Sequence, residues 1–236
     1  MTEAPIPRPE RIDEVFDLLE KMWGNEALNP DLGHDEPLDG LVLTLLSQNT
    51  NDTNRDRGFN ALKASYPEWG ETAAASKDDI AACIRPAGLA NTKSERMLLI
   101  LEKVRETFGS YSLKGLRSWS GDEAREYLEA LPGIGAKTAA CVMLFDLGKP
   151  AFPVDTHIAR FFRRMEWAPE KSAPEQMQTL LEAWVPRERF LGGHINIIEH
   201  GRGLCSARKP RCEKCLLRDQ CPYFARTGAH GRAPVL

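Results

Sequence analysis

Four cysteines near the C-terminus constrain this chain more than any other feature. They read Cys205-x6-Cys212-x2-Cys215-x5-Cys221. The N-terminus, Met1 to Glu10, is proline-containing and lacks the apolar segment of a secretory signal. No apolar stretch is long enough to span a bilayer. A cytosolic, reducing compartment is therefore the default, and disulfides are disfavoured. Four thiolates suit tetrahedral zinc, but zinc sites generally present two close pairs, and only one Cys-x2-Cys occurs here. Four thiolates in one loop also suit a cubane cluster in which each cysteine holds one iron. The spacing favours the cluster and leaves zinc open. Cys83 and Cys141 fall within apolar helical patterns and read as buried small hydrophobes.

The rest of the chain reads as helix. Leu38, Leu41, Val42, Leu45 and Leu46 recur at helical spacing, as do Ile80 with Ile84, and Met97, Ile100, Leu101 and Val104. Turns are marked by Arg85-Pro86-Ala87-Gly88 and Gly148-Lys149-Pro150. No segment sustains the alternation of a strand. About ten helices with short connections, no sheet and no fixed-period repeat are expected, with enough chain for one large or two small cores. The hydrophobic fraction of 42% and charged fraction of 28% are those of an ordinary soluble globular protein. The segment after Pro222 is small and polar and reads as a frayed tail.

Asp122 to Leu147 carries the second strong pattern. Asp122 can cap a helix running through Tyr127 and Leu128. Then comes Leu131-Pro132-Gly133-Ile134-Gly135-Ala136-Lys137-Thr138. A second helix follows through Val142, Met143 and Phe145, stopped by Gly148 and Pro150. Gly133 and Gly135 let the backbone come close to another molecule, and the N–H groups of the turn and the second helix suit a phosphate. Lys137 lies in the first turn of that helix, where the helix dipole disfavours a cation, so stability alone does not explain it. A neutral amine there, activated by partial burial, could attack carbon and form a Schiff base. A phosphate-binding lysine is the competing reading.

Phe152-Pro153-Val154-Asp155-Thr156-His157 precedes an apolar helix, Ile158 to Met165. Taken alone, Asp155 reads as its N-cap. A catalytic role would need it to face a reacting sugar and stabilise positive charge there. His157 could contact a phosphate, but reads better as a satisfied core histidine. The formal net charge of −3 argues mildly against a nucleic-acid binder. Distribution matters more, because salt limits each charge to roughly 10 Å. Arg202, Arg208, Lys209 and Arg211 form a run with no carboxylate between them.

Together these motifs resemble endonuclease III of the helix-hairpin-helix glycosylase superfamily, from about Asp39 to Cys221. The hairpin at 131–138, the segment Val154-Asp155-Thr156-His157, the four-cysteine spacing, Ala207-Arg-Lys-Pro-Arg-Cys212 and His200-Gly201-Arg202 carry the resemblance. It implies an all-α, two-lobed fold. A six-helix lobe with the helix-hairpin-helix would span 39–149. The iron–sulfur lobe would be discontinuous, from 1–38 and 150–236, with the tail frayed after about 223. DNA would lie across the cleft between the lobes. The cofactor would be a structural 4Fe–4S cluster held by Cys205, Cys212, Cys215 and Cys221.

The resemblance also implies that a damaged nucleotide is flipped out of the duplex. Ser47-Gln48-Asn49-Thr50 and Gly88-Leu89-Ala90-Asn91 would fill the gap, with Gln48 or Asn49 as the polar wedge and Leu89 as the apolar one. Leu89 could equally be a core residue at a helix terminus. Lys93, Gly133, Gly135, Arg208, Lys209 and Arg211 would contact the DNA. The implied activity is base excision repair: removal of oxidised pyrimidines, followed by abasic-site lyase cleavage through a Lys137 imine, with Asp155 supporting departure of the base and helping to activate Lys137. The partner would be double-stranded DNA with oxidised bases or abasic sites, bound by a monomer in the cytoplasm at the nucleoid. One rival is an adenine-mismatch glycosylase of the same superfamily, which generally lacks the lysine and carries an extra C-terminal domain. The other is a non-catalytic DNA-binding module with structural zinc.

Overall fold

Apolar stripes of helical period organise both halves of the chain. In the computed structural model, which describes residues 6–24 and 32–228, the described residues form twelve α-helices joined by short turns, and no strand. Two units separate by their internal packing, one of residues 1–29 with 150–236 and one of residues 30–149. The expected limit at Asp39 falls inside a helix, because Pro37 at its first position and the Glu36 carboxylate, which accepts from Leu38 N, start that helix earlier.

Among the described residues the 30–149 unit holds seven α-helices rather than six: α2 (Pro37–Ser47), α3 (Asp52–Ser65), α4 (Trp69–Ala74), α5 (Lys77–Ile84), α6 (Ala90–Phe108), α7 (Gly121–Glu129) and α8 (Ala136–Phe145). Leu38, Leu41, Val42, Leu45 and Leu46 are all buried on α2, which packs on α3 and α8. Ile100, Leu101 and Val104 bury the matching stripe of α6 against α5 and α4. The Trp69 indole donates to Asp39 at 2.8 Å while the Lys63 ammonium sits 4.4 Å from its ring, fastening α2, α3 and α4 to one another. The α7 cap is Ser120 rather than Asp122. Ser120 accepts from Glu123 N and Glu123 accepts from Ser120 N, a reciprocal capping box that satisfies two N–H groups at once.

The other unit holds α1 (Ile12–Trp23), α9 (Thr156–Arg164), α10 (Pro174–Trp184), α11 (Phe190–Gly203), the cysteine loop and α12 (Pro222–Thr227). Its core is aromatic. Phe16 of α1 meets Phe152 edge-on and stacks on Trp167, and Phe162 stacks on Trp184. Gly193 lets α1 approach α11, since a Cβ there would overlap the Phe16 ring. The segment after Pro222, expected to fray, is helical through Thr227, because Tyr223 is buried and stacks on Arg164. Residues 229–236 lie outside the described residues.

Candidate nucleic-acid site and cysteine cavity

The hairpin is built as its glycines suggest. Gly133 has φ +77° and its missing side chain makes room for Arg96. Ile134 N closes the turn on Leu131 O at 3.1 Å. Gly135 is the N-cap of α8 and offers no side chain to it, so the first-turn N–H groups are left for an anion. Lys137 is exposed, so the partial burial invoked to activate it is not found. It lines a cavity with α2 residues Thr44 and Ser47, with Arg55 and Cys141, and with His34 and Asp146. Nothing in the local sequence links His34 to Asp146. Hydrogen bonding to the Asp146 carboxylate raises the His34 pKa above its usual value.

The two loops expected to fill the gap in the duplex behave differently from each other. Gln48 is half-buried and its amide donates to Gly133 O at 3.2 Å, which ties this loop to the hairpin. Asn49 is exposed at φ +56°, a left-handed conformation uncommon for a side-chain-bearing residue. In the other loop Leu89 is 57% exposed at φ +51°. That removes its reading as a core residue. Lys93, expected to contact DNA, is 1% exposed. Its ammonium donates to the carbonyls of Leu46 at 2.8 Å, Gln48 at 2.7 Å and Ala87 at 2.9 Å. An ammonium has three donors, and all three are spent on protein. Lys93 is therefore a buried tie between protein carbonyls and not the DNA contact expected of it. Burial lowers the Lys93 pKa.

Asp155 caps α9, accepting from Ile158 N at 2.8 Å. The cap takes Oδ1, while Oδ2 has no hydrogen bond among the described residues. His157 is half-buried rather than a core residue. It sits 3.0 Å from Arg160, whose guanidinium also holds the carbonyls of Cys205 and Gly201.

Cys205, Cys212, Cys215 and Cys221 line one cavity together with Arg164, His200 and Leu217. Burial pushes the Cys215 thiol up to about 12 and raises Cys212 and Cys221 as well. Burial and the guanidiniums of Arg164 and Arg160 lower His200 to about 4. Arg164 is 8% exposed and donates to Cys205 Sγ at 2.9 Å and to the carbonyls of Cys205, Ser206 and Ala207. A buried cation aimed at sulfur suits thiolates that carry negative charge. Among the described residues no three His, Cys, Asp or Glu side chains converge as they would on a single metal ion. Cys141 is buried as expected, whereas Cys83 is only half-buried, with its thiol 3.6 Å from Ser65 Oγ. Arg208 and Lys209 are exposed on the loop. Arg211 is exposed too, but its guanidinium bonds Gly203 O and its N–H bonds Leu204 O at 2.9 Å, so it also closes the loop. Among the described residues no helix is long and apolar enough to cross a membrane.

Residues 42–187 match the HhH-GPD superfamily of base excision DNA repair proteins. The chain is 33% identical over 195 residues to endonuclease III of Thermotoga maritima, covering 82% of this chain and 86% of that one. It is 30% identical over 182 residues to the DNA glycosylase/AP lyase ROS1 of Arabidopsis thaliana, covering 70% of this chain and 13% of that one. The fold is shared with a trapped endonuclease III–DNA covalent intermediate at a TM-score of 0.79, with 24% identity over 92% of this chain and 97% of that one. A glycine hairpin feeding an uncapped helix is thus found in a chain whose sequence and fold both lead to one group, and the chain belongs to the HhH-GPD superfamily as a base excision repair DNA glycosylase of the endonuclease III type.

Proposed function

We propose that this glycosylase removes oxidised pyrimidines from duplex DNA and then cleaves the strand as an abasic-site lyase through Lys137. The observation that carries the reading is the exposed Lys137 in the first turn of α8, lining a cavity with Thr44, Ser47 and Arg55 and directly after a hairpin whose N–H groups await a phosphate. The backbone donors hold the DNA strand, and the lysine meets the sugar beside it. The name of ROS1, a relative that pairs glycosylase with lyase, supports the same assignment.

The chemistry divides between two side chains. Asp155 keeps its Oδ1 on the α9 cap, which fixes the carboxylate, and offers Oδ2 to the positive charge that develops on the deoxyribose as the base departs. The Lys137 amine attacks C1′ as the bond to the base breaks and the base leaves with a proton; the C1′–O4′ bond then breaks, O4′ takes up a proton lost from the amine, and the opened sugar is left with an imine between Nζ and C1′. The imine acidifies the C2′ proton. Its removal expels the 3′ phosphate by β-elimination, and water then releases the lysine. Leu89 and Asn49 fill the space vacated by the everted nucleotide. Gln48 does not, because its amide serves the hairpin.

The four cysteines fit a 4Fe–4S cluster. They line one cavity, and Arg164 supplies a buried positive charge against Cys205. A cluster bound there would cross-link the loop from Cys205 to Cys221, on which Arg208 and Lys209 meet DNA phosphates. The enzyme acts as a monomer on nucleoid DNA in the cytoplasm.

The test is base release from otherwise identical duplexes carrying an oxidised pyrimidine, or an adenine opposite an oxidised guanine. Release of the pyrimidine with strand scission on its 3′ side is expected. Release of adenine without scission would point instead to the adenine-mismatch activity.

A further inference from the structure

Two loops of the 30–149 unit carry non-glycine residues in the left-handed region at their tips, Asn49 at φ +56° and Leu89 at φ +51°. Such residues cost free energy unless the surroundings hold them. Both loops end on the same atom. Lys93 Nζ binds Leu46 O and Gln48 O, the C-terminal carbonyls of α2 that lead into the first loop, and Ala87 O, which leads into the second. The helix end at Gln48 would otherwise leave carbonyls without partners. The same Gln48 reaches Gly133 O in the hairpin through its side chain. A continuous polar path therefore runs from the Leu89 loop through the Lys93 ammonium to Gln48 and on to the hairpin that carries Lys137.

We infer that Lys93 is a positioning residue that couples the two gap-filling loops, so that Leu89 and Asn49 enter the duplex as a single unit and the everted nucleotide is held open beside the hairpin. This rests on the reading of those loops as the elements that replace the everted nucleotide. A hydrophobic side chain of equal length would have served the core at lower cost, since a buried ammonium is favourable only when all its donors are used. Here the charge is retained where three carbonyls from two separate loops meet. An arginine cannot replace it, because a planar guanidinium cannot point three donors at one small convergence of carbonyls.

The experiment compares Lys93→Met with the unaltered enzyme on two DNAs carrying the same oxidised pyrimidine, one fully paired and one with the lesion in an unpaired bubble. The bubble needs no gap filling. Excision from the paired duplex should fall at least tenfold more than excision from the bubble, and Lys93→Arg should not restore the ratio. Equal losses on both DNAs would mean that Lys93 only stabilises the fold, which overturns the inference while leaving the proposed function intact. An unaltered enzyme that excises from neither DNA would remove the proposed function and the inference together. Should Lys93→Met fail to fold, the coupling is read with Lys93 untouched. Asn49→Ala, Leu89→Ala and the double variant should be non-additive on paired DNA, and additive losses would overturn the inference.

Discussion

His34 and Asp146 join the segment before α2 to the end of α8. Asp146 Oδ1 lies 2.8 Å from His34 Nδ1 and accepts from His34 N at 2.9 Å, with 3% of the Asp146 side chain exposed. The hydrogen bond to Asp146 raises the His34 pKa, so protonation of His34 stabilises the folded state. This contribution is fully present below the unfolded value of about 6.5 and is lost as pH rises through the folded value. Denaturant midpoints should therefore fall across that window more in the unaltered protein than in His34→Gln. Parallel pH profiles would remove His34 from the account.

The same carboxylate explains a glycine in the middle of a helix. A Cβ at Gly40 would overlap the Asp146 carboxylate, which is buried and held by His34. Gly40→Ala should cost about 1–3 kcal/mol despite the better helix propensity of alanine. Gly70→Ala, whose Cβ would meet Tyr111 at an ordinary 3.5 Å, serves as the control and should be close to neutral. Chemical denaturation measures both, and equal stabilities would contradict the packing described.

Purified protein should be yellow-brown and carry about four irons per chain, the content of one cubane. Cys212→Ser should reduce iron content and solubility more than Cys83→Ser, since only Cys212 lines the cavity. Stoichiometric zinc without visible absorption would sink the cluster.

Duplex binding should be salt-sensitive in spite of the net charge of −3. Replacing Arg208 and Lys209 with Ala should flatten the log–log salt slope by about two, near 0.9 for each lost phosphate contact. Arg211→Ala should lower loop stability as well, because its guanidinium also holds Gly203 O. A slope unchanged by the Arg208 and Lys209 replacements would mean that the loop faces solvent.

The parts of the fold and site set by local pattern were legible in the sequence. The α2 stripe, the glycine hairpin, the Asp155 cap and the four grouped cysteines all lie within short windows whose periodicity or spacing carries its own physics. What depends on residues far apart in the chain was not. Nothing in the sequence around Lys93 says that its charge is spent on carbonyls at positions 46, 48 and 87. Nothing near His34 points to Asp146. The exposure of Lys137 and the burial of Tyr223 likewise depend on packing that no local window contains. Leu89 and a core leucine look alike in sequence, and only its exposed left-handed conformation separates them.

In the proposed mechanism Lys137 is the amine that attacks the sugar. Borohydride trapping on duplex DNA containing an abasic site tests it most directly, with base release and melting temperature measured on the same preparations. The unaltered protein should form a covalent adduct. Lys137→Gln, which leaves the hairpin N–H groups in place, should still bind DNA and melt normally but trap nothing. Asp155→Asn, which retains N-cap capacity, should still trap while base release slows by about 2–4 kcal/mol of barrier. Robust trapping by Lys137→Gln would show that another amine does the chemistry and would contradict the account.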